Sequence, residues 1–139
     1  MANGLYQLGM ASWAKGDVAW KASGGSTIRA LLIDAADYAV NLATDQFLST
    51  VAGAAREEGP VTMTLIDAAA DGVCDGNDVA FVAATGDPCE ALLLYKFVTV
   101  DADSNLLVYI DTATGLPVTL NGGDVNVAWD NGANKIVKI

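Results

Sequence analysis

The densest run of potential ligands in this chain is Asp71-Gly72-Val73-Cys74-Asp75-Gly76-Asn77-Asp78. Calcium loops place oxygens at fixed offsets around a sharply turning glycine. Asp71, Asp75 and Gly76 fall at the first, fifth and sixth positions of that pattern. The third position is Val73 and the twelfth is Val82, so two oxygen ligands are missing. A loop between two strands accounts for the run better than a loosened calcium site. Asn121-Gly122-Gly123-Asp124 has the glycines of a phosphate loop but lacks the Gly-Lys-Ser/Thr ending and a following helix, so it reads as a turn. Catalytic combinations are equally sparse. The chain contains no histidine, which removes the usual base at neutral pH and every Ser-His-Asp or Cys-His arrangement. A pair of carboxylates could hydrolyse a glycosidic bond, but the aspartates sit in turn sequences, where they serve local backbone hydrogen bonds. Cys74 and Cys89 form no CxxC pair and have no histidine to join, too few ligands for zinc. In a reducing compartment they are small buried hydrophobes, with a disulfide as the lesser alternative. The expectation is a protein without a catalytic residue, a metal or a cofactor.

Residues suited to holding a partner are easier to find. Tyr6, Trp13 and Trp20 lie in a glycine-interrupted N-terminal segment, outside the strand-rich body. They either fold back on the core or insert into a neighbouring subunit, since Trp and Tyr are enriched among interface anchors. Leu107 and Val108 belong to the run Leu106-Leu-Val-Tyr-Ile110, and Ala91-Leu-Leu-Leu-Tyr95 is of the same kind. Both runs are apolar on both faces, whereas a two-layer sandwich wets one face of each strand. The outer face must be covered, either by the N-terminal helix with its aromatics or by another chain.

The elements that would position these residues follow from periodicity and turn chemistry. Leu5, Tyr6, Gly9, Met10 and Trp13 fall at helical spacing, so a short helix is expected over residues 4–15 despite its glycines. Residues 18–20 read as extended, and Ser23-Gly-Gly-Ser26 as a flexible loop before a first core strand at 27–33. Asp34-Ala-Ala-Asp37 is a turn. Thr44 is placed to cap a short helix running to Ser49, with Asp45 at its positive end. From Pro60 the pattern is one of strands: 61–66, 79–84, 90–100 and 106–110, with 71–78 as a loop, Gly86-Asp-Pro88 as a turn and Asp101-Ala-Asp-Ser104 as a break. The last thirty residues alternate turn signals with short strands. Asp111-Thr-Ala-Thr-Gly115, Asn121-Gly-Gly-Asp124 and Asp130-Asn-Gly-Ala-Asn134 bound an alternating Val125, Val127, Trp129 strand, a hairpin signature. The expected fold is an all-β sandwich or barrel of seven or eight antiparallel strands, with one or two short helices near the N-terminus.

At 139 residues the chain forms one domain, residues 1–139, with 1–26 as a possible helix or arm. Net charge is −10, which repels nucleic acid and anionic membranes. The imbalance is local. Residues 1–56 hold four acids and four bases, whereas 57–134 hold thirteen acids and only Lys96. That charge serves solubility or faces a basic partner. Mean hydropathy is +0.35, yet no apolar run approaches the ~20 residues of a membrane helix. Met1-Ala-Asn-Gly-Leu-Tyr6 has no charged start followed by an apolar core, so an intracellular location is expected.

Three stretches in order, residues 27–38 (TIRALLIDAADY), 41–48 (NLATDQFL) and 109–138 (YIDTATGLPVTLNGGDVNVAWDNGANKIVK), resemble the capsid cement, or head decoration, proteins of tailed bacteriophages. The resemblance implies a jelly-roll β-sandwich on the outer surface of an icosahedral virion, assembled in the host cytoplasm. It implies the major capsid protein as partner and association between copies, with no catalytic residue to carry over. Another phage structural part, in tail or neck, and a sugar-binding sandwich module are the competing readings.

Overall fold

The computed structural model describes residues 3–139. Its elements in chain order are β1 (Gly4–Leu5), α1 (Gln7–Ala14), β2 (Thr27–Ile33), β3 (Arg56–Thr62), β4 (Leu65–Ile66), β5 (Val73–Gly76), β6 (Val79–Phe81), β7 (Ala91–Phe97), β8 (Asn105–Ile110), β9 (Val125–Val127) and β10 (Val137–Lys138). Short 3₁₀ turns occur at Leu48–Thr50, Gly53–Ala55 and Asp101–Asp103. The strands form a five-stranded sheet ordered β1-β8-β7-β2-β3, a three-stranded sheet β10-β5-β4 and the pair β6-β9, every pairing antiparallel. The chain is thus an all-β sandwich with one helix near its N-terminus.

The large sheet is apolar on both sides because its three central strands carry apolar residues at both phases of the pleat. β2 and β7 pair in unbroken register from Thr27↔Phe97 to Ile33↔Ala91. Ile28, Ala30 and Leu32 with Leu92 and Leu94 enter one core, and Leu31 and Ile33 with Ala91, Leu93 and Tyr95 enter the other. On β8 the register slips: Val108 opposes Leu94 and Leu106 opposes Tyr95, leaving Leu107 as an extra residue. Such a bulge turns two consecutive side chains to one side. Leu107 and Val108 therefore share the first core, while Leu106 and Tyr109 lie in the second.

The two faces have different covers. Over the first lie the two smaller sheets, with Val18, Trp20, Met63 and Leu120. Over the second lies residues 38–55, with Tyr6. The sequence suggested the N-terminal helix with its aromatics or another chain; of these, Tyr6 contributes, and the rest of the cover comes from residues 38–55. It contains no strand, and it is held by backbone bonds: Leu48 N to Ser104 O (2.9 Å), Leu106 N to Gln46 O (2.8 Å) and Asp34 N to Ala55 O (2.9 Å). The Arg56 guanidinium donates to the carbonyls of Leu48 (2.7 Å) and Val51 (2.6 Å). These bonds also explain why the helix expected from Thr44 to Ser49 does not form. The Gln46 carbonyl and the Leu48 amide are committed to the β8 side, so neither is free for an intrahelical ladder.

Three further expectations are corrected. The helix is shorter than 4–15, because Gly4 and Leu5 pair with Tyr109 and Val108 as β1. α1 packs against β8 so closely that a Cβ at Gly9 would collide with the Leu106 carbonyl oxygen, so the glycine that weakens the helix also seats it. The loop expected at 71–78 contains β5, because Val73 and Cys74 are buried. The C-terminal Asn-Gly turns do not close local hairpins. β9 pairs back to β6 and β10 to β5.

Candidate functional site

After β8 the chain crosses the first face as a thin layer, attached at separate points. The Asn3 amide group donates to Thr112 O (2.9 Å) and accepts from the amides of Asp111 (2.9 Å) and Thr112 (2.8 Å). Cys89 and Val118 exchange backbone bonds of 2.9 and 2.8 Å. Gly122, at φ +86°, donates to Ala84 O (2.8 Å), and Ala84 N donates to Gly123 O (3.0 Å). Glycine suits this turn because few other residues adopt that backbone freely. Asp124 Oδ1 accepts from Ala83 N, and Trp129 gives its backbone amide to Asp78 Oδ1 and its indole N–H to Asn77 O, each 3.0 Å or shorter. Ile136 N reaches Cys74 O at 3.1 Å.

Between these attachments the layer stands off the sheet and leaves a groove of about 750 Å³. Leu32, Leu92 and Ile110 floor it; Val118, Val125, Val127, Trp129 and Ile136 wall it; Thr114, Thr119, Asn126, Asp130 and Lys135 lie at its polar edge. Of the residues from 111 to 139 only Leu120 is fully buried. Val118, Val125, Val127, Trp129, Ile136 and Val137 are half-buried against the core. Each brings apolar area to the surface that a partner could cover.

The residues singled out from sequence lie elsewhere. Tyr6 and Leu107 are 0% exposed, Val108 4% and Trp20 5%, so all four pack inside their own chain. They do not form one patch. Tyr6 sits in the second core, edge-on to Tyr109 at 6.4 Å, and its hydroxyl meets that of Tyr38 at 3.1 Å. Tyr38 in turn donates to Asp45 Oδ2 at 2.6 Å. Leu107, Val108 and Trp20 lie in the first core, where the Trp20 indole N–H donates to Asp75 O at 2.7 Å. Trp13, half-buried, stacks on Trp20 at 6.4 Å and 25°. The aromatics fold back because their rings bury large apolar area in the cores; Trp20 and Tyr6 also find hydrogen-bond partners there, whereas the buried Trp13 indole N–H finds none.

The titratable groups are arranged for packing. Burial raises the Cys74 thiol to about 11. Burial raises Cys89 to about 12, with smaller contributions from Glu57, Glu90, Asp34 and Glu58. Both thiols are free, buried and protonated at neutral pH, the opposite of an activated nucleophile. Burial likewise pushes the hydroxyls of Tyr6, Tyr38 and Tyr95 well above the ordinary phenol range and Tyr109 to about 12. In the 71–78 run, Asp75 Oδ1 accepts from Gly76 N, Asp78 Oδ1 from Trp129 N, and Asp71 faces Lys138 at 3.7 Å. Its carboxylates are thus turned to three separate contacts, one within the run and two with the C-terminal segment. The fold instead gathers Asp34, Glu57 and Asp87, one oxygen of each within 4.8 Å of the others. Asp34 Oδ1 and Glu57 Oε2 accept from the backbone amides of Ala36 (2.8 Å) and Asp87 (3.1 Å). No sequence pattern announced this group, since its members come from three separated loops and strand ends.

Fold and surface together define a class: an antiparallel β-sandwich with an open groove under a half-buried C-terminal layer. No protein-family model matches the chain, and no curated protein matches it.

Proposed function

We propose that this chain is a capsid cement protein, a jelly-roll member of the sandwich class that binds the outside of a tailed-phage head and bridges major capsid subunits. One observation carries the reading. The segment at 109–138, the longest stretch resembling cement proteins, leaves the central sheet after β8 and from residue 111 onward buries only Leu120, holding half-buried apolar side chains around an open groove. Contact with a shell would remove that area from water at about 25 cal/mol per Å².

Charge supports the same reading. Seventeen acids face seven side-chain bases, leaving a net charge of −10. Arg29 pairs with Asp101 and Lys138 with Asp71, while Arg56 spends its guanidinium on backbone carbonyls. The surplus suits a basic shell surface, whose attraction would speed docking. Each contact need only be weak if a copy spans two subunits or touches another copy, because linked contacts gain from effective concentration. The role is structural, without catalysis, nucleic acid or membrane.

The test is co-sedimentation of the purified chain with expanded, undecorated heads and, separately, with unassembled capsid subunits. Pelleting with heads alone is the expected result. A chain that stays in solution with matched heads contradicts the proposal.

A further inference from the structure

The sequence contains three Asn-Gly dipeptides: Asn3-Gly4, Asn121-Gly122 and Asn131-Gly132. The pair has an intrinsic reactivity. Glycine has no Cβ to obstruct its own nitrogen, which can attack the preceding asparagine's side-chain carbonyl. Two conditions gate the step: the glycine N–H must be free to lose its proton, and the asparagine side chain must be free to swing over it.

The fold treats the three pairs differently. The Asn3 side chain is held by three hydrogen bonds to residues 111 and 112, and Gly4 is paired with Tyr109 in β1. At Asn121 both partners are engaged. The Gly122 amide donates to Ala84 O at 2.8 Å, and Asn121 Oδ1 accepts from Gly123 N at 3.0 Å. At Asn131 neither is. Among the described residues, the Gly132 amide and the Asn131 side chain make no hydrogen bond, and residues 130–134 are all exposed. Lys135 Nζ approaches the Asn131 backbone carbonyl at 3.4 Å. That oxygen belongs to the same peptide group as the Gly132 nitrogen, so the ammonium favours the charge that develops when the N–H ionises. The Asp130 carboxylate, which lies beside Gly132, acts against it.

We infer that Asn131 is a site of spontaneous deamidation, and that the fold confines this chemistry to one of three equivalent dipeptides. The deprotonated Gly132 nitrogen forms a bond to Asn131 Cγ. The side-chain nitrogen takes up from solvent the equivalent of the proton that the Gly132 amide gave up and leaves as ammonia, and a five-membered succinimide remains. Water then opens the ring at either carbonyl, giving aspartate or isoaspartate, with no change of oxidation state. Each event adds a negative charge at the groove's edge. The isoaspartate product also lengthens the backbone between β9 and β10 by one methylene.

Peptide mapping by mass spectrometry of the folded protein, aged at mildly alkaline pH, tests this. Breaking the two hydrogen bonds at Asn121, or the three at Asn3, at about 1 kcal/mol each makes the locked pairs more than about tenfold slower. Asn131 is expected to convert at least about tenfold faster than Asn3 and Asn121, and an isoaspartyl methyltransferase should label that peptide first. In urea the three sites should converge, because the protection belongs to the fold. Asn131→Gln should remove the fast phase without unfolding the protein. Conversion of Asn3 or Asn121 as fast as Asn131 in the folded chain overturns the inference. So does an Asn131 rate that rises about tenfold on unfolding, the signature of a protected site.

Discussion

The two covers of the central sheet do different work. Residues 38–55 lie on the second face as an irregular segment, yet they bury Tyr38, Leu48, Val51 and Ala55 and satisfy their polar groups internally. Asp45, 9% exposed, accepts from the Tyr38 hydroxyl and the Asn41 amide. The C-terminal layer on the first face contains two short strands, yet it buries only Leu120 and leaves a groove beneath it. Regular secondary structure is therefore no guide to which cover is tighter. The 38–55 cover has fewer apolar residues left in water, Val40 and Leu42 half-buried and Phe47 38% exposed, so it gains less from a neighbour. The C-terminal cover, which holds six apolar residues half in water, gains directly.

The comparison breaks most severely if β8 is not sealed on both sides. Leu107→Asp puts a charge into the first core at a position with 0% exposure, and a loss above about 4 kcal/mol is expected. Circular dichroism should show no cooperative folding. A folded Leu107→Asp protein would mean that the first face opens to water.

Alkaline titration probes both cores. Cys74 and Cys89 have an ordinary thiol value of 9.0 when unfolded, against about 11 and about 12 when folded. Below the unfolded value both states hold the proton, and stability does not change. Above it the unfolded state binds fewer protons, so stability falls as pH rises, by about 1.4 kcal/mol per unit for each group until its folded value is reached. Urea midpoints should decline from about pH 9, more steeply as the tyrosines join. A flat midpoint to pH 11 would show the thiols to be solvated.

Tyr38→Phe sharpens the picture of the tight cover. It removes the donor to Asp45 and the partner of the Tyr6 hydroxyl, a cost of about 1–3 kcal/mol measurable by urea unfolding. The smallest stability effect belongs to the loose cover. Val127→Ala, at a half-buried position, should cost under about 1 kcal/mol yet weaken co-sedimentation with heads. The reverse ranking of Tyr38→Phe and Val127→Ala would exchange the roles of the two covers.

What the sequence disclosed follows the same physics. β2 appears at the residues expected, 27–33, and β7 and β8 lie within or beside their expected runs, because long two-sided apolar stretches admit few alternatives. The tight cover was illegible since its anchors, Tyr38, Leu48, Val51 and Ala55, follow neither a helical nor a strand period. β5 was hidden among aspartates and glycines, and only its pairing with neighbouring β4 and distant β10 reveals it. β9 was visible as a strand, but β10 and the partners of both were not, because turn chemistry reports local geometry and β6 and β5 lie far back in the chain. The groove is drawn from Leu32, Leu92 and the last thirty residues together, a juxtaposition no local pattern encodes. Tyr6 and Trp20 were recognised as anchors but assigned a possible neighbour, since an aromatic in sequence does not say which core it will enter.

The central claim, that the C-terminal layer is the face turned to a partner, is tested most directly by hydrogen exchange on the chain alone and bound to expanded heads. The account predicts fast exchange at the free amides of 111–139 and new protection there on binding, with 38–55 protected in both states. Protection that appears on 38–55 or on α1, with 111–139 unchanged, would contradict it.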